Sequence, residues 1–137
     1  MSGVGLLVAG CCCGSPVCPE DCSECPDRTV TLSGFDANTC VFTLGLDGTH
    51  ALTQTGTGGC TWINTNINGG IYGVVFDCVD GVWTCRVDDF VNGWFWLFTA
   101  SAAGGCLPTG GGWTETATPI LFGVPCPMPD GAAVSVA

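Results

Sequence analysis

Apolar and polar residues alternate with a period of two along much of this chain, which is the pattern of a half-buried β-strand. In RTVTLSGF, residues 28–35, Val30 and Leu32 share one predicted face while Thr and Ser occupy the other. Similar runs recur about every ten residues and are separated by Gly, Asp-Gly or Pro. No segment shows the 3.6-residue period of an amphipathic helix. The pattern therefore predicts an all-β protein.

An Asp-Gly pair in the run CVFTLGLDGTHALTQTG, which starts at Cys40, predicts a first hairpin. Asp and Gly tolerate the positive φ angles of a two-residue turn, so we expect the turn at Asp47 and Gly48. His50, the only histidine, would lie beside this turn as a solvated residue. We expect no catalytic or ligand role for it, because no orienting group can be assigned.

The clearest hairpin is predicted in GIYGVVFDCVDGVWTCRVDD, with its turn at residues 80–81. Pairing across this turn places Cys78 opposite Trp83 and Phe76 opposite Cys85, so that one face is wholly apolar. The other face is expected to meet solvent, and its polar members are Asp77, Thr84, Arg86 and Asp88.

The stretch WFWLF, residues 94–98, breaks the alternation because both of its predicted faces are apolar. A strand of this kind lies between packed layers or at a subunit boundary. We expect one face to enter the core and neighbouring chains to cover the other. The interface candidates are Trp94, Phe95, Trp96, Leu97 and Phe98.

Short strands without helices are typical of an antiparallel β-sandwich or a small barrel, here with about 7–9 strands. One such domain is expected over residues 27–137, since a chain of 137 residues suits a single core. Residues 1–26 are expected to form an irregular Cys-rich arm. Residues 124–131, VPCPMPDG, are expected to form a rigid Pro-rich tail before a terminal strand.

The charge balance limits the partners of the chain. Twelve acidic residues stand against Arg28 and Arg86, with no Lys, and the net charge is −10. Nucleic acid and anionic membranes are not expected as partners, because both are bound through Lys and Arg.

The amino-terminal segment has only some features of an export signal. LLVAGC, residues 6–11, resembles a lipoprotein processing site, but no Lys or Arg precedes it and its apolar stretch is short. We expect neither lipidation nor a signal peptide. A Cys-rich protein made without a signal is expected to leave the cell by lysis, as part of a particle.

Twelve cysteines in a chain of this length indicate a disulfide scaffold in an oxidising compartment. The arm contains Cys11, Cys12, Cys13, Cys18, Cys22 and Cys25. Three roles remain open for these cysteines: disulfide crosslinks, which we call staples, ligands of a metal, or free thiols. Zinc would be bound by a set such as Cys13, Cys18, Cys22 and Cys25. We favour staples, because an arm whose one sizeable apolar residue after Cys11 is Val17 needs crosslinks to become ordered.

The remaining cysteines are spread one per segment of the body. They are Cys40, Cys60, Cys78, Cys85, Cys106 and Cys126. We expect Cys40 to pair with Cys60, because both border the first hairpin. Cys78 and Cys85 share a hairpin face, where they would bond to each other, bond elsewhere or remain small buried side chains.

Candidate residues for catalysis are few. Asp88, Asp89 and Glu115 are the acids considered for paired-carboxylate chemistry. Adjacent acids at a strand end are expected to be solvated surface residues, so we expect no enzymatic activity. The Asp-Gly sites lack the calcium-loop pattern, and we expect no cofactor apart from the zinc alternative.

The motifs GGCTW, CVDGVW and TGGGWT, together with a Cys-rich start, look like those of small proteins encoded among the head and tail genes of tailed bacteriophages. They are also similar to short β domains of bacterial surface proteins. The first resemblance implies a non-enzymatic virion protein, in the capsid or in a tail or fibre, whose partners are further copies and other virion proteins. The alternative is a secreted or surface carbohydrate-binding module whose sugar platforms would be Trp62, Trp94 or Trp113.

Overall fold

The computed structural model describes residues 17–36, 45–91, 93–101, 105–117, 120–121, 124–125 and 133–137. Their strands are β1 (Arg28–Ser33), β2 (Gly48–Thr55), β3 (Thr61–Ile67), β4 (Tyr72–Val79), β5 (Val82–Asp89), β6 (Trp94–Ser101), β7 (Thr114–Ala117), β8 (Ile120–Leu121), β9 (Val124–Pro125) and β10 (Ala133–Val136). The helical structure among these residues is limited to a 3₁₀ turn at Thr57–Gly59. The all-β prediction is confirmed.

Eight of these strands form one antiparallel sheet in the order β10-β1-β2-β3-β4-β5-β6-β7, and the sheet curls into a half-barrel. Strands β8 and β9 pair separately. Gly110 and Val136 exchange backbone hydrogen bonds of 2.7 and 3.0 Å. This bridge connects the edge strand β10 to the segment before β7, so the first and last strands of the sheet are brought together.

The core lies on the inner face of the curled sheet. In β1 the alternation is as predicted, because Val30 and Leu32 are buried while Thr31 and Ser33 are exposed. The largest fully buried side chains are Trp62, Trp83, Trp96, Tyr72, Phe35 and Phe76. Edge-to-face contacts join Trp62 to Trp83 and Phe35 to Trp96. Burial of these aromatic side chains supplies much of the hydrophobic stabilisation.

The second hairpin has the predicted register. Cys78 pairs with Trp83 and Phe76 pairs with Cys85. Asp80 and Gly81 have φ angles of 51° and 79°, which is the geometry of a two-residue turn with both central residues in the left-handed region. The Asp-Gly turn and the apolar alternation on both sides of it were therefore sufficient to predict this register.

The first hairpin prediction is wrong. Asp47 does not form the turn, because β2 begins at Gly48 and pairs with β1. The Asp47 carboxylate instead accepts hydrogen bonds from the backbone N–H groups of Gly34 and Phe35, at 3.1 and 2.7 Å. The part of the predicted hairpin at residues 40–44 lies outside the described residues.

The strands have two distinct ends. Strands β2, β4 and β6 finish at the end of the half-barrel where β3, β5 and β7 begin. We call this the lid end, because residues 17–27 lie across it and form what we call the lid. The turn between β5 and β6 lies at the opposite end.

Candidate functional site: a disulfide-bonded lid and an apolar patch

Three disulfides attach the lid to the body, and none of them joins two lid residues. The bonds are Cys18–Cys78, Cys22–Cys60 and Cys25–Cys106, with Cα–Cα distances of 5.6, 5.1 and 5.7 Å. The body cysteines lie at the end of β4, immediately before β3 and in the segment before β7. The lid is therefore fixed at three points across one end of the half-barrel.

Backbone hydrogen bonds and burial place the middle of the lid. Cys22 is 0% exposed, and its N–H donates to the carbonyl oxygen of Gly58 at 2.7 Å. The Gln54 Nε2 group donates to the carbonyl oxygens of Cys22 and Gly59, at 2.7 and 3.0 Å. A Cβ atom at Gly58 would overlap the backbone oxygen of Glu20. Glycine at this position therefore permits the close approach of the lid.

The pairing corrects one prediction. Cys60 bonds to Cys22 and not to Cys40, because the lid lies nearer to the start of β3 than the sequence order suggested. Of the proposed zinc ligands, Cys18, Cys22 and Cys25 are disulfide-bonded and so are not thiolates in this structure. Among the described residues, no group of three or more His, Cys, Asp or Glu side chains is placed to hold a metal. Five cysteines named above lie outside the described residues: Cys11, Cys12, Cys13, Cys40 and Cys126.

A cavity of about 450 Å³ opens beside two of the bridges. Its lining residues are Cys18, Pro19, Glu20, Thr57, Cys60, Thr61, Asp77 and Cys78. The Thr61 hydroxyl donates to the Asp77 carboxylate at 2.5 Å. The N–H of Gly81 donates to Sγ of Cys18 at 3.4 Å. The cavity thus combines disulfide sulfur with two acidic side chains.

Cys85 is an unpaired cysteine on the inner face of β5, and it is buried. Burial raises the pKa of its thiol well above the ordinary value, and the negative charge of Asp88 raises it further. The thiol is therefore protonated at neutral pH and is a poor nucleophile. Cys85 behaves as a small core side chain, which is one of the outcomes left open for it.

The prediction that Asp88 and Asp89 are solvated is wrong. Asp88 is 7% exposed and Asp89 is 1% exposed. Arg86 Nε lies 3.1 Å from the Asp88 carboxylate, and Asp89 Oδ1 accepts a hydrogen bond from the N–H of Val91 at 3.0 Å. Charged acceptors at the end of β5 therefore stabilise the turn into β6, which strand alternation alone does not reveal.

The other candidate residues for acid–base chemistry lie apart. His50 is on β2, half-buried, and its Nε2 donates to the carbonyl oxygen of Leu46 at 2.8 Å. Glu115 is on β7, opposite Phe98, and burial raises the pKa of its carboxyl group. In register, His50 lies opposite Val30 of β1 and Glu115 lies opposite Phe98 of β6, so the two groups belong to different strand pairs.

An apolar patch, consisting of Phe90, Val91 and Phe95, lies at the end of the half-barrel opposite the lid. These side chains are 49%, 70% and 43% exposed. The Arg86 guanidinium carbon lies 5.8 Å from the centre of the Phe95 ring. The Phe90 ring lies over Gly73, where an added Cβ would come within 2.7 Å of it. Both rings are thus held in place while one side of each meets solvent.

The interface candidates in β6 divide between the two faces of the sheet. Trp96 and Phe98 are buried in the chain's own core, so they are not interface residues, whereas Phe95 is exposed and Leu97 half-buried on the outer face. The Trp94 side chain lies outside the described part. Phe90 and Val91 were missed, because a two-residue apolar turn has no periodicity to mark it.

The tryptophans proposed as sugar platforms are not exposed where the structure describes them. Trp62 is fully buried, so it is not available as a sugar platform for the alternative function. Trp113 is half-buried, with its ring centre 5.1 Å from that of Phe76 in an edge-to-face contact. Both side chains pack against the core.

No helix in the described residues is long and apolar enough to span a membrane. No family model matches the chain, and neither the curated proteins nor the solved structures contain a significant match to it.

Proposed function

We propose that this chain is a non-enzymatic structural subunit of a repetitive assembly. The observation that carries the proposal is the apolar patch. Soluble monomers expose single apolar side chains, whereas two aromatic residues and a valine exposed at one end of a sheet are typical of a contact surface. Burial of an aromatic side chain is worth roughly 2–3 kcal/mol, so a neighbouring subunit that covers the patch would be stabilised.

The distribution of charge favours contact through this patch. Beside the patch, the exposed Arg86 pairs with Asp88, while Asp89 is buried and accepts a hydrogen bond from the N–H of Val91. Acidic residues are exposed at the lid end: Glu20, Asp21, Glu24, Asp27 and Asp80. Strands of eight residues separate the two ends by roughly 25 Å, which exceeds the Debye length of about 10 Å at 0.1 M salt. In a chain with a net charge of −10, a contact through the patch would keep these exposed acidic side chains away from the neighbouring copy.

A virion of a tailed bacteriophage is the assembly that we propose, as a capsid, tail or fibre component. Cysteine crosslinks between an arm and a β body suit a protein that works outside the cell, where disulfides persist. A rigid β domain with three long-range bridges also suits a particle under mechanical stress. The partners would be further copies of the chain and other virion proteins.

Sedimentation velocity of the purified chain at micromolar concentration tests the proposal. We expect a concentration-dependent oligomer that Val91→Asp or Phe95→Asp weakens at least tenfold in dissociation constant, since each removes an anchor and adds a charge. Val79→Asp is the matched control, because Val79 is 53% exposed but lies at the lid end. A monomer at all concentrations that is also absent from any larger particle in its source would contradict the proposal. So would equal weakening by the control.

A further inference from the structure

The cavity at the lid end gives small molecules access to one disulfide in particular. Cys18 and Cys78 are both half-buried and both line the cavity, so a reagent that enters it meets their bridge. Cys60 also lines the cavity, but its partner Cys22 is sealed in the core. The Cys18–Cys78 bridge is therefore the first of these two that an entering molecule can reach on either sulfur.

The acidic side chains that line the cavity determine which reagents enter it, according to the charge of the reagent. Two acidic side chains, Glu20 and Asp77, line the cavity. The rest of the chain adds to the negative potential, since its net charge is −10. An anionic reagent is repelled from such a site and a cationic one is attracted, most strongly at low ionic strength.

The geometry points to a thiol–disulfide exchange site in this cavity, at which a small cationic or neutral thiol opens the Cys18–Cys78 bridge and begins the release of the lid. The reagent thiolate attacks Sγ of Cys78 and forms a mixed disulfide, while the bond to Sγ of Cys18 breaks and leaves the electron pair there. The N–H of Gly81 already donates to Sγ of Cys18, so it stabilises the thiolate that departs.

A second reagent thiolate completes the exchange. It attacks the reagent sulfur of the mixed disulfide, which releases Cys78 as a thiolate and the reagent as its own disulfide. The two reagent thiols supply the two electrons and the two protons that Cys18 and Cys78 gain. Once Cys18 is free, the lid is held by Cys22–Cys60 and Cys25–Cys106.

Reduction of the oxidised full chain by thiols of different charge tests this inference. Cysteamine, mercaptoethanol and mercaptoethanesulfonate are compared at equal thiolate concentration, with acid quenching, alkylation and peptide mass spectrometry. We expect the Cys18–Cys78 bridge to open at least tenfold faster with cysteamine than with mercaptoethanesulfonate at low salt, and the ratio to fall toward one at high salt. The trapped mixed disulfide is expected on Cys78.

Two controls separate the cavity from the charge of the whole chain. The Cys25–Cys106 bridge does not line the cavity, so its cysteamine preference should be smaller. The double variant Glu20→Gln, Asp77→Asn should reduce the preference at Cys18–Cys78 to that level. Glu24→Gln, an exposed lid residue outside the cavity, should not.

Equal charge preference at the two bridges of the unmodified chain would overturn the inference, as would a mixed disulfide found on Cys18. These two measurements need no variant, so they decide the matter even where the double variant fails to fold. A preference at Cys18–Cys78 that survives the double substitution in a folded protein would also count against it.

Discussion

The Cys22–Cys60 bridge is expected to contribute more stability than the Cys25–Cys106 bridge, although it closes the shorter loop. The sequence separations are 38 and 81 residues. Loop-closure entropy alone assigns about 4 kcal/mol to the first bridge and about 4.5 kcal/mol to the second. The remaining bridges shorten both effective loops, so these values are upper limits and the entropic difference between them stays small.

Side-chain packing is expected to make the Cys22–Cys60 bridge the larger contributor to stability. Cys22 is fully buried, its N–H donates to the carbonyl oxygen of Gly58, and its carbonyl oxygen accepts from the Gln54 side chain. Its removal costs the burial of the sulfur and loosens these hydrogen bonds, together worth about 1–2 kcal/mol beyond the entropic term. Cys25 and Cys106 are only half-buried, so their removal carries a smaller packing cost.

Equilibrium unfolding in guanidinium under non-reducing conditions measures the two contributions. We expect Cys22→Ala, Cys60→Ala to lower the free energy of unfolding by about 1–2 kcal/mol more than Cys25→Ala, Cys106→Ala. The slopes of the two transitions must agree for the comparison to hold. A larger loss in the Cys25–Cys106 variant would show that loop length, and not the seating of Cys22, sets the strength of the lid.

Three further predictions follow from single positions. Gly58→Ala should expose the lid to proteolysis, because an added Cβ would overlap the lid backbone. Gly69→Ala is the control and should not, since Gly69 has a similar φ near 70° but an added Cβ there meets nothing. The pKa of the Cys85 thiol is raised in the folded state, so the unfolded chain loses this proton first as pH rises. The free energy of unfolding should therefore fall above about pH 8.5. Cys85→Val should remove this pH dependence. The chain has twelve cysteines, an even number, so if Cys85 is unpaired, one other cysteine must also be unpaired or be bonded to another chain. Alkylation of the denatured, unreduced chain should therefore label at least two thiols or reveal a disulfide-linked dimer.

The parts of the fold that the sequence predicted are those determined by neighbouring residues. Strand β1 follows from its alternation, and the β4–β5 hairpin follows from Asp80 and Gly81 together with the apolar face on each side. The same reasoning failed at Asp47, because a side chain that caps Gly34 and Phe35 uses the residue type that a turn uses. Local composition does not distinguish these two uses of Asp.

Disulfide connectivity depends on which segments meet in space, and spacing along the chain does not contain that information. The sequence did show that the arm lacks the apolar residues to order itself, and the structure agrees, since Val17 is 70% exposed. The sequence could not show that the lid is held in place by disulfides to the body, at Cys60, Cys78 and Cys106. Strand alternation correctly places Arg86 on the solvent face, where its side chain is 53% exposed, but it does not show that the ion pair with Arg86 accompanies burial of Asp88 on that same face.

The two surfaces described for this protein lie at opposite ends of the same strands, and this has a consequence for both proposals. β5 begins at Val82, near the exchange cavity, and ends at Asp89, beside the apolar patch. A subunit that binds through the patch leaves the cavity open to solvent, so reduction of the lid should proceed at the same rate in the assembly as in the free chain. Conversely, opening the lid removes no residue of the patch, and the assembly should persist after Cys18–Cys78 is reduced. Loss of the assembly at the same thiol concentration that opens this bridge would mean that the lid, and not the patch, holds neighbouring subunits.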